Sequence, residues 1–331
     1  MGQSLSTGEL LDKYDLEETL GEGSFGVVYR AINRETNEFV AVKEIKSDLT
    51  QREKFVKETE LLRESGGHGN IVSIIESFEF EPDGFYIVLE YCELGDLNRY
   101  VTKTHVSVDS KVLFMYDMSN GLDFLHQINI VHRDMKPANV LVTESQIHGR
   151  PVCKISDLGE ARMHASDMTS DTLPSYLTST HGTMAYIAPE VLLGHYTKSC
   201  DVFLLGVIFY ALFSDYEYLN PFVDGQCMYE VAFSRIQSAL AGLQTLPTEL
   251  RDLTLKMLKK DYHDRVECST VKETLDTYIN GLQNNNPRRD VGGGQWFEQP
   301  TDVRPRVRLF FRPRALCPSA MMGTDFLKTF L

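Results

Sequence analysis

Residues 132–139 read His132-Arg133-Asp134-Met135-Lys136-Pro137-Ala138-Asn139, and this stretch organises the interpretation of the whole chain. The carboxylate of Asp134 can orient a hydroxyl group and accept its proton. Lys136 can neutralise a phosphate, and the amide oxygen of Asn139 is a hard ligand of the kind that Mg²⁺ prefers. These residue types, held within eight positions, predict a phosphoryl-transfer site.

The spacing H-R-D-x-K-x-x-N resembles the catalytic loop of eukaryotic protein kinases, and the lysine two residues after the aspartate resembles the serine/threonine branch. The alternative is a polar loop between two strands with no chemical role, and three further motifs in the kinase order argue against it. The resemblance implies an α+β, bilobal protein-kinase-like fold. A small antiparallel β lobe is expected above a mostly helical large lobe, with ATP in the cleft.

The same resemblance divides the chain into three parts. A kinase domain is expected at residues 14–280, between an N-terminal segment at 1–13 and a flexible basic tail at 281–331. Within the domain, the small lobe is expected at 14–90, the hinge at 91–96 and the large lobe at 97–280.

A glycine-rich stretch, Gly21-Glu22-Gly23-Ser24-Phe25-Gly26, comes early in the chain. This G-x-G-x-x-G spacing also occurs in dinucleotide-binding turns, where it opens a helix. Here strand-forming residues follow at 27–32, which favours a hairpin over nucleotide phosphates. Glycine suits such a hairpin because a side chain would block the close approach of the backbone.

The stretch Val40-Ala41-Val42-Lys43 is similar to the V-A-I-K strand of protein kinases. An unpaired lysine would be costly to bury. The resemblance implies that Lys43 contacts the α- and β-phosphates of ATP and a glutamate on the next helix, which is predicted at residues 51–64. Counting back from the Leu61-Leu62 pair favours Glu58 as that glutamate over Glu60.

The stretch 91–97 resembles the kinase hinge. Backbone groups near Glu90 and Cys92 would then bond the adenine edge, and Asp96 would contact the ribose, cap the helix that begins at Leu97, or do both. The full set of nucleotide contacts that the resemblance implies is Gly21, Glu22, Gly23, Ser24, Phe25, Gly26, Val28, Ala41, Lys43, Leu89, Glu90, Cys92, Asp96 and Leu141.

The stretch Asp157-Leu158-Gly159 resembles the D-F-G motif, with leucine keeping the apolar character of the usual phenylalanine. The implied metal site holds Mg²⁺ between Asn139 and Asp157. In the implied mechanism Asp134 orients the acceptor hydroxyl, Lys136 offsets charge on the transferred phosphoryl group, and Lys43, held by Glu58, positions the phosphates. Glu160 is unusual at its position and leaves the preference between serine and threonine acceptors open.

Residues 163–180 are rich in Ser, Thr and Asp and precede the stretch 182–190, which resembles G-T-x-x-Y-x-A-P-E. One interpretation is a mobile surface loop. The other is a phosphorylation switch served by an upstream kinase, with Arg133 available to pair with a phosphate. Ser179 has the usual spacing before Gly182, and Thr178 and Thr180 are rivals.

Three positions are expected to support the large lobe. Thr183 would steady Asp134 and Lys136, and Asp201 would hold the backbone of the catalytic loop. Glu190 would pair with Arg265 in a buried contact that takes no part in the chemistry.

The amino-acid composition limits the kinds of partner that are expected. The net charge of −14 argues against nucleic acid as a partner of the whole chain, although from residue 282 onward eight Lys or Arg face four Asp or Glu. The basic stretch 304–314, with Phe310 and Phe311, is interpreted as a solvated tail, with binding to acidic protein, lipid or RNA as the alternative. The six cysteines are scattered without a C-x-x-C pair, which favours reduced thiols in the cytosol or nucleus.

The first residues, Met1-Gly2-Gln3-Ser4-Leu5-Ser6, fit the pattern for myristoylation at Gly2. An acylated terminus and a plain disordered one stay open as alternatives. A single acyl chain would give only weak, reversible membrane contact.

Two stretches, 92–97 and 194–197, resemble the Clik-type subgroup of nuclear or actin-associated kinases. Two other classes of function remain as alternatives. One is a pseudokinase acting as a binding module, although such proteins usually lack one of Lys43, Asp134 or Asp157. The other is a scaffold that acts through its tail and its acylated terminus.

Overall fold

The computed structural model describes residues 7–23, 26–45, 49–80, 84–163, 188–214, 222–223, 226–227 and 238–285. Its first part is a five-stranded antiparallel sheet with the strand order β1-β2-β3-β5-β4. The strands are β1 (Tyr14–Gly23), β2 (Gly26–Asn33), β3 (Phe39–Ile45), β4 (Ile74–Phe80) and β5 (Gly84–Glu90). The antiparallel small lobe expected from the sequence is therefore present.

The two faces of this sheet bury different clusters, because side chains alternate along each strand. One face of β3 and β5 carries Ile45, Phe85 and Ile87, which join the main core together with helix α2 (Leu49–Glu64). The opposite face carries Val40, Val42 and Val88 in a separate cluster.

A short helix, α1 (Thr7–Lys13), covers part of that second cluster, with Leu10 buried to 1% exposure. The sequence analysis did not predict this helix, since seven residues with a single buried leucine give no helical periodicity.

The large lobe is mostly helical, as expected. Its helices are α3 (Leu97–Lys103), α4 (Val108–Gln127), α5 (Lys198–Phe213), α6 (Thr248–Met257) and α7 (Cys268–Asn285). Ser107 caps α4 by accepting a hydrogen bond from the Ser110 N–H. Helix α4 contacts α5 and α7, and α5 is buried from Cys200 to Phe213, including the carboxylate of Asp201.

Short strands join these helices to the cleft. A three-stranded sheet has the order β6-β8-β9, and β7 pairs with β10. These strands are β6 (Gly95–Asp96), β7 (Ile130–Val131), β8 (Val140–Ser145), β9 (Arg150–Ile155) and β10 (Arg162–Met163).

Ile71 lies before β4 and forms an isolated parallel bridge with Ile155 at the end of β9. In the large lobe, a short hairpin pairs β11 (Phe222–Val223) with β12 (Gln226–Cys227). The Asp-Gly pair at 224–225 in the sequence is a hairpin turn signal.

Within the described ranges, no helix combines the length and apolar character needed to cross a bilayer.

Candidate active site

The backbone of the catalytic loop is held by a buried carboxylate from α5. Asp201 Oδ2 accepts the His132 N–H at 2.8 Å, and Asp201 Oδ1 accepts the Arg133 N–H at 2.8 Å. Arg133 has φ 71°, a left-handed conformation that costs energy for a residue with a side chain. The two hydrogen bonds therefore fix a strained turn immediately before Asp134, as the sequence analysis expected of Asp201.

Two side chains hold one oxygen of the Asp134 carboxylate. Lys136 Nζ donates to Asp134 Oδ2 at 2.8 Å, and Asn139 Nδ2 donates to the same oxygen at 2.9 Å. The described residues place no hydrogen-bond donor on Oδ1. A carboxylate held in this way can accept a hydrogen bond from a hydroxyl group without losing its own orientation.

The contact predicted between Lys43 and Glu58 is present. Lys43 Nζ lies 2.7 Å from Glu58 Oε1 and 2.9 Å from Asp157 Oδ1. Glu58 is 4% exposed, whereas Glu60 is exposed on the outer side of α2, so the choice of Glu58 agrees with the structure. Lys43 thus ties α2 to the D-L-G stretch of the large lobe.

The opposite charges of Lys43 and Asp157 each favour the ionised form of the other side chain. Burial alone would lower the pKa of Lys43, but the carboxylates of Asp157 and Glu58 raise it above its usual value. The charge of Lys43 lowers the pKa of Asp157 to about 2. Burial raises the pKa of Glu58, and the nearby Lys43 opposes that effect. Asp157 is therefore an anion available to a cation or metal in the cleft.

Asp157 and Asn139 fit a magnesium ion. Asp157 has φ 61° and its Oδ2 has no hydrogen-bond partner among the described residues. The Asn139 amide nitrogen is occupied by Asp134, which leaves the amide oxygen for a cation. In the described parts of the chain, no three His, Cys, Asp or Glu side chains form a metal cage. Two protein oxygens shared with phosphates are the usual arrangement for Mg²⁺.

Strand register places the expected adenine contacts on one face of the sheet. Ala41 pairs with Leu89, and Val28 pairs with Lys43, so all four side chains point to the same face. Leu141 lies in β8 opposite Asp96. The strand register therefore places Val28, Ala41, Lys43 and Leu89 on one face of the sheet.

The glycines of the β1–β2 hairpin differ in their roles. A Cβ added at Gly21 would meet no atom of the described residues within 4 Å, which leaves room for a ligand. At Gly26, φ is 148° and an added Cβ would lie 1.8 Å from the Glu44 carbonyl oxygen. Packing against β3 therefore requires glycine at 26, in addition to any requirement of the nucleotide. Glu22 is exposed on β1, while Ser24 and Phe25 lie outside the described residues.

At the hinge, Asp96 caps α3 by accepting the Arg99 N–H at 2.9 Å. This establishes the capping role and leaves the ribose contact a prediction. Cys92 is 6% exposed, and burial raises the pKa of its thiol to about 12, so it is an unreactive side chain.

Two hinge contacts were missed by the sequence analysis. Glu90 accepts two bonds from Lys154 Nζ, both at 2.8 Å. Glu93 accepts the Thr143 hydroxyl at 2.7 Å and the Glu144 N–H at 2.9 Å. Burial would raise the pKa of Glu93, but these bonds lower it overall. No local pattern marks such pairs, because their partners are more than 45 positions away in the chain.

The support of the large lobe also matches expectation. Glu190 and Arg265 form a bidentate, buried ion pair. Leu158 is 1% exposed, as expected of an apolar plug, and Glu160 Oε1 is buried without a hydrogen-bond partner among the described residues. Several predicted residues lie outside the described ranges: Gly2, Ser179, Thr180 and Thr183.

Comparison with known proteins agrees with this geometry. A protein kinase domain model matches residues 14–275. Over 266 residues the chain is 34% identical to "MAP kinase-interacting serine/threonine-protein kinase 2" of Xenopus laevis, an alignment that covers 77% of this chain and 56% of that protein. The chain thus spans little more than half the length of this curated relative. With the family match covering most of its length and the cleft residues in place, the chain belongs to the protein kinase domain family.

Proposed function

We propose that this protein is a serine/threonine protein kinase that transfers the γ-phosphoryl group of ATP to hydroxyl groups of protein substrates. The observation that carries the proposal is the arrangement at Asp134, where Lys136 and Asn139 hold Oδ2 and Oδ1 faces no donor in the described structure. A pseudokinase needs no such open base.

In the proposed reaction, the acceptor hydroxyl donates a hydrogen bond to Asp134 Oδ1. Its oxygen forms a bond to the γ-phosphorus as the bond from that phosphorus to the β–γ bridging oxygen breaks. The hydroxyl proton passes to Asp134, and ADP leaves with the electron pair of the broken bond. Lys136, 2.8 Å from Asp134 Oδ2, lies where it can offset charge on the transferred group.

The remaining cleft residues position the nucleotide. Lys43 is oriented by Glu58 toward the α- and β-phosphates, and Asn139 and Asp157 would hold Mg²⁺. Mg²⁺ supplies neutralisation of phosphate charge when bound. The protein contributes mainly preorganised positions and electrostatics, so small displacements of these groups should cost rate.

The choice of serine and threonine as acceptors has two supports. Lys136 follows Asp134 by two positions, as in the serine/threonine branch, and the curated relative is named a serine/threonine-protein kinase. The alignment covers 56% of that relative. The activity, substrates and partners of the present chain are therefore proposals.

Transfer of labelled phosphate from ATP to a mixed Ser/Thr protein substrate, with Mg²⁺, tests the proposal. We expect transfer by the wild type and its loss in Asp134→Asn, which keeps the side-chain shape but removes the base. Asp252→Asn, on the exposed side of α6, is the matched control and should retain activity. Absence of transfer by the wild type, both as purified and after incubation with cell extract, would instead favour the pseudokinase or scaffold.

We also propose regulation by phosphorylation within residues 163–180 by an upstream kinase, with Ser179 and Thr180 as candidate sites. Arg133 is the cation that a phosphate there could meet. Mapping of phosphosites, followed by alanine substitution at each site, tests this. The proposed domain limits are 14–280, supported by the family match over 14–275.

For location we propose the cytosol or nucleus, with a reversible membrane fraction only if Gly2 is acylated. The support is chemical, since Cys92, Cys153, Cys200 and Cys268 are buried, unpaired thiols that need no oxidising compartment. Labelling with a myristate analogue in wild type and Gly2→Ala decides between the two states of the terminus.

A further inference from the structure

A buried aromatic ring lies against the side chain that precedes the proposed base. The guanidinium carbon of Arg133 is 3.9 Å from the centroid of the Tyr196 ring. Arg133 is 5% exposed and Tyr196 is 1% exposed. A cation placed over an aromatic face is attracted by the ring quadrupole, and the attraction strengthens when water is excluded. This contact is therefore a strong link between two segments 63 positions apart.

Tyr196 is carried by a well-anchored segment. The His195 N–H donates to the Glu190 carbonyl at 3.0 Å, and Arg265 Nη1 donates to the Ser199 carbonyl at 2.7 Å. Arg265 also forms the buried pair with Glu190. Ties on both sides of Tyr196 thus converge on one buried arginine. The ring is a fixed platform and not a mobile surface group.

On the other side of the contact lies the strained turn of the catalytic loop. The Arg133 backbone has φ 71° and its N–H is held by Asp201. The backbone of Asp134 is also held, since its N–H donates to His132 Nδ1 at 3.2 Å and its carbonyl accepts Asn139 Nδ2 at 2.8 Å. The guanidinium over the Tyr196 ring adds the side chain of Arg133 to these backbone anchors, so the strained residue before Asp134 is fixed at both backbone and side chain.

We propose that Tyr196 is a positioning residue for phosphoryl transfer, acting through the Arg133 guanidinium to hold Asp134 in its catalytic orientation. This inference rests on the proposed kinase activity and deepens it. The ring contacts the residue next to Asp134 in the catalytic loop, so its effect is expected on the chemical step and not on ATP binding.

The test compares Tyr196→Leu, which removes the ring, with Tyr196→Phe, which keeps it. We expect Tyr196→Leu to lower kcat about tenfold, with KM for ATP unchanged within about twofold. Tyr196→Phe should retain kcat within about twofold. Combining Tyr196→Leu with Arg133→Met should give no greater loss than Arg133→Met alone, since both changes break one contact.

The matched control is a cation–π contact between α4 and α5, in which Lys111 Nζ lies 5.3 Å from the centroid of the buried Phe213 ring. Phe213→Leu should lower Tm without lowering kcat. Equal kcat losses in Phe213→Leu and Tyr196→Leu would overturn the proposal, because a general loss of stability would then explain both. Three other results would also overturn the proposal: an unchanged kcat in Tyr196→Leu, a reduced kcat in Tyr196→Phe, or kcat losses that multiply in the double variant.

Amide hydrogen exchange at residues 132–139 separates this inference from the proposed function. We expect faster exchange in Tyr196→Leu and wild-type exchange in Tyr196→Phe, whether or not the wild type transfers phosphate. If the wild type is inactive but exchange follows this pattern, the kinase proposal fails while the clamp on the loop stands. Unchanged exchange in Tyr196→Leu overturns the clamp itself.

Discussion

Asp157 combines backbone strain and an ion pair in one residue. Its φ of 61° costs energy that a glycine would avoid. The ion pair with Lys43 at 2.9 Å offsets part of that cost and keeps the carboxylate ionised. Glu58 contacts the same lysine, but it is 4% exposed and lies behind the cation. The two carboxylates are therefore unequal partners of Lys43.

This inequality predicts different losses on neutralisation. Asp157→Asn removes a metal ligand as well as an ion pair, so we expect kcat/KM to fall at least about a thousandfold. Glu58→Gln only loosens the lysine, and a loss of about ten- to a hundredfold is expected. Measuring both variants across Mg²⁺ concentrations adds a second readout. The apparent Mg²⁺ requirement should rise in Asp157→Asn alone, and a rise in Glu58→Gln would contradict this assignment.

At the scale of single elements, the β1–β2 hairpin shows that one motif can serve two purposes. Gly21 leaves open space above the sheet, whereas Gly26 lets β2 pass within contact of the β3 backbone. The sequence spacing alone presents the two glycines as equivalent. Only the strand register separates a glycine needed for a ligand from one needed for packing.

The matched pair Gly21→Ala and Gly26→Ala tests this separation. Gly26→Ala forces a methyl group into the Glu44 carbonyl, so we expect a loss of about 2 kcal/mol or more in unfolding free energy. Gly21→Ala should change stability by less than about 0.5 kcal/mol while raising KM for ATP several-fold. Denaturant unfolding and ATP titration check the two effects. Equal destabilisation of both variants would show that Gly21 is also a packing residue.

Helix α3 allows the two suggested roles of Asp96 to be separated. Asp96→Ala removes the cap on the Arg99 N–H and should cost about 1 kcal/mol. Asp96→Ser keeps a capping oxygen and should retain stability. If Asp96 also contacts the ribose, both variants raise KM for ATP, which ATP titration would measure. Equal loss of stability in the two variants would contradict the capping assignment.

Elements with local signatures could be predicted from the sequence, and long-range partners only where the resemblance to protein kinases implied them, as for Glu190 with Arg265. The catalytic loop, the Lys43 strand and the helix carrying Glu58 were each marked by residue spacing within about 20 positions. The Arg133–Tyr196 contact and the Glu93–Thr143 bond join segments at least 50 positions apart and leave no periodic trace. Helix α1 was missed because Leu10 alone supplies its buried contact.

At the scale of the whole molecule, the two lobes share one apolar core cluster, and polar contacts outside the hinge also join them. The loop between α2 and β4 reaches the large lobe, where Asn120 Nδ2 donates to Asn70 Oδ1 at 2.8 Å and Asn70 Nδ2 donates to the Cys153 carbonyl at 2.9 Å. Gly121 permits this approach, since an added Cβ would lie 2.6 Å from the Asn70 carbonyl oxygen. The relative position of the lobes, and hence the Lys43–Asp157 pair, depends on this junction.

His68 lies at the same junction and makes it sensitive to acid. Its ring stacks on Phe124 with centroids 4.7 Å apart, and its Nδ1 accepts the Asn70 N–H at 3.2 Å. Protonation of Nδ1 would break that bond. Burial, together with the charges of Lys154 and Lys272, lowers the pKa of His68 to about 4.

The depressed pKa of His68 predicts how stability changes with pH. In the unfolded chain His68 takes up a proton near pH 6.5, whereas in the folded chain it does so only near pH 4. Its contribution to stability is therefore complete above pH 6.5 and is lost as the pH falls toward 4, by at most about 3 kcal/mol.

His68→Gln keeps an acceptor oxygen for the Asn70 N–H and does not titrate. Because the carboxylates titrate alike in both proteins, the difference in unfolding free energy between wild type and variant isolates His68. We expect denaturant unfolding to show this difference shifting in favour of the variant between pH 7 and pH 4.5, since only the wild type loses the His68 contribution there. A difference that stays constant over this range would mean that His68 titrates equally in the folded and unfolded chains, and that the junction carries no acid-sensitive group at this position.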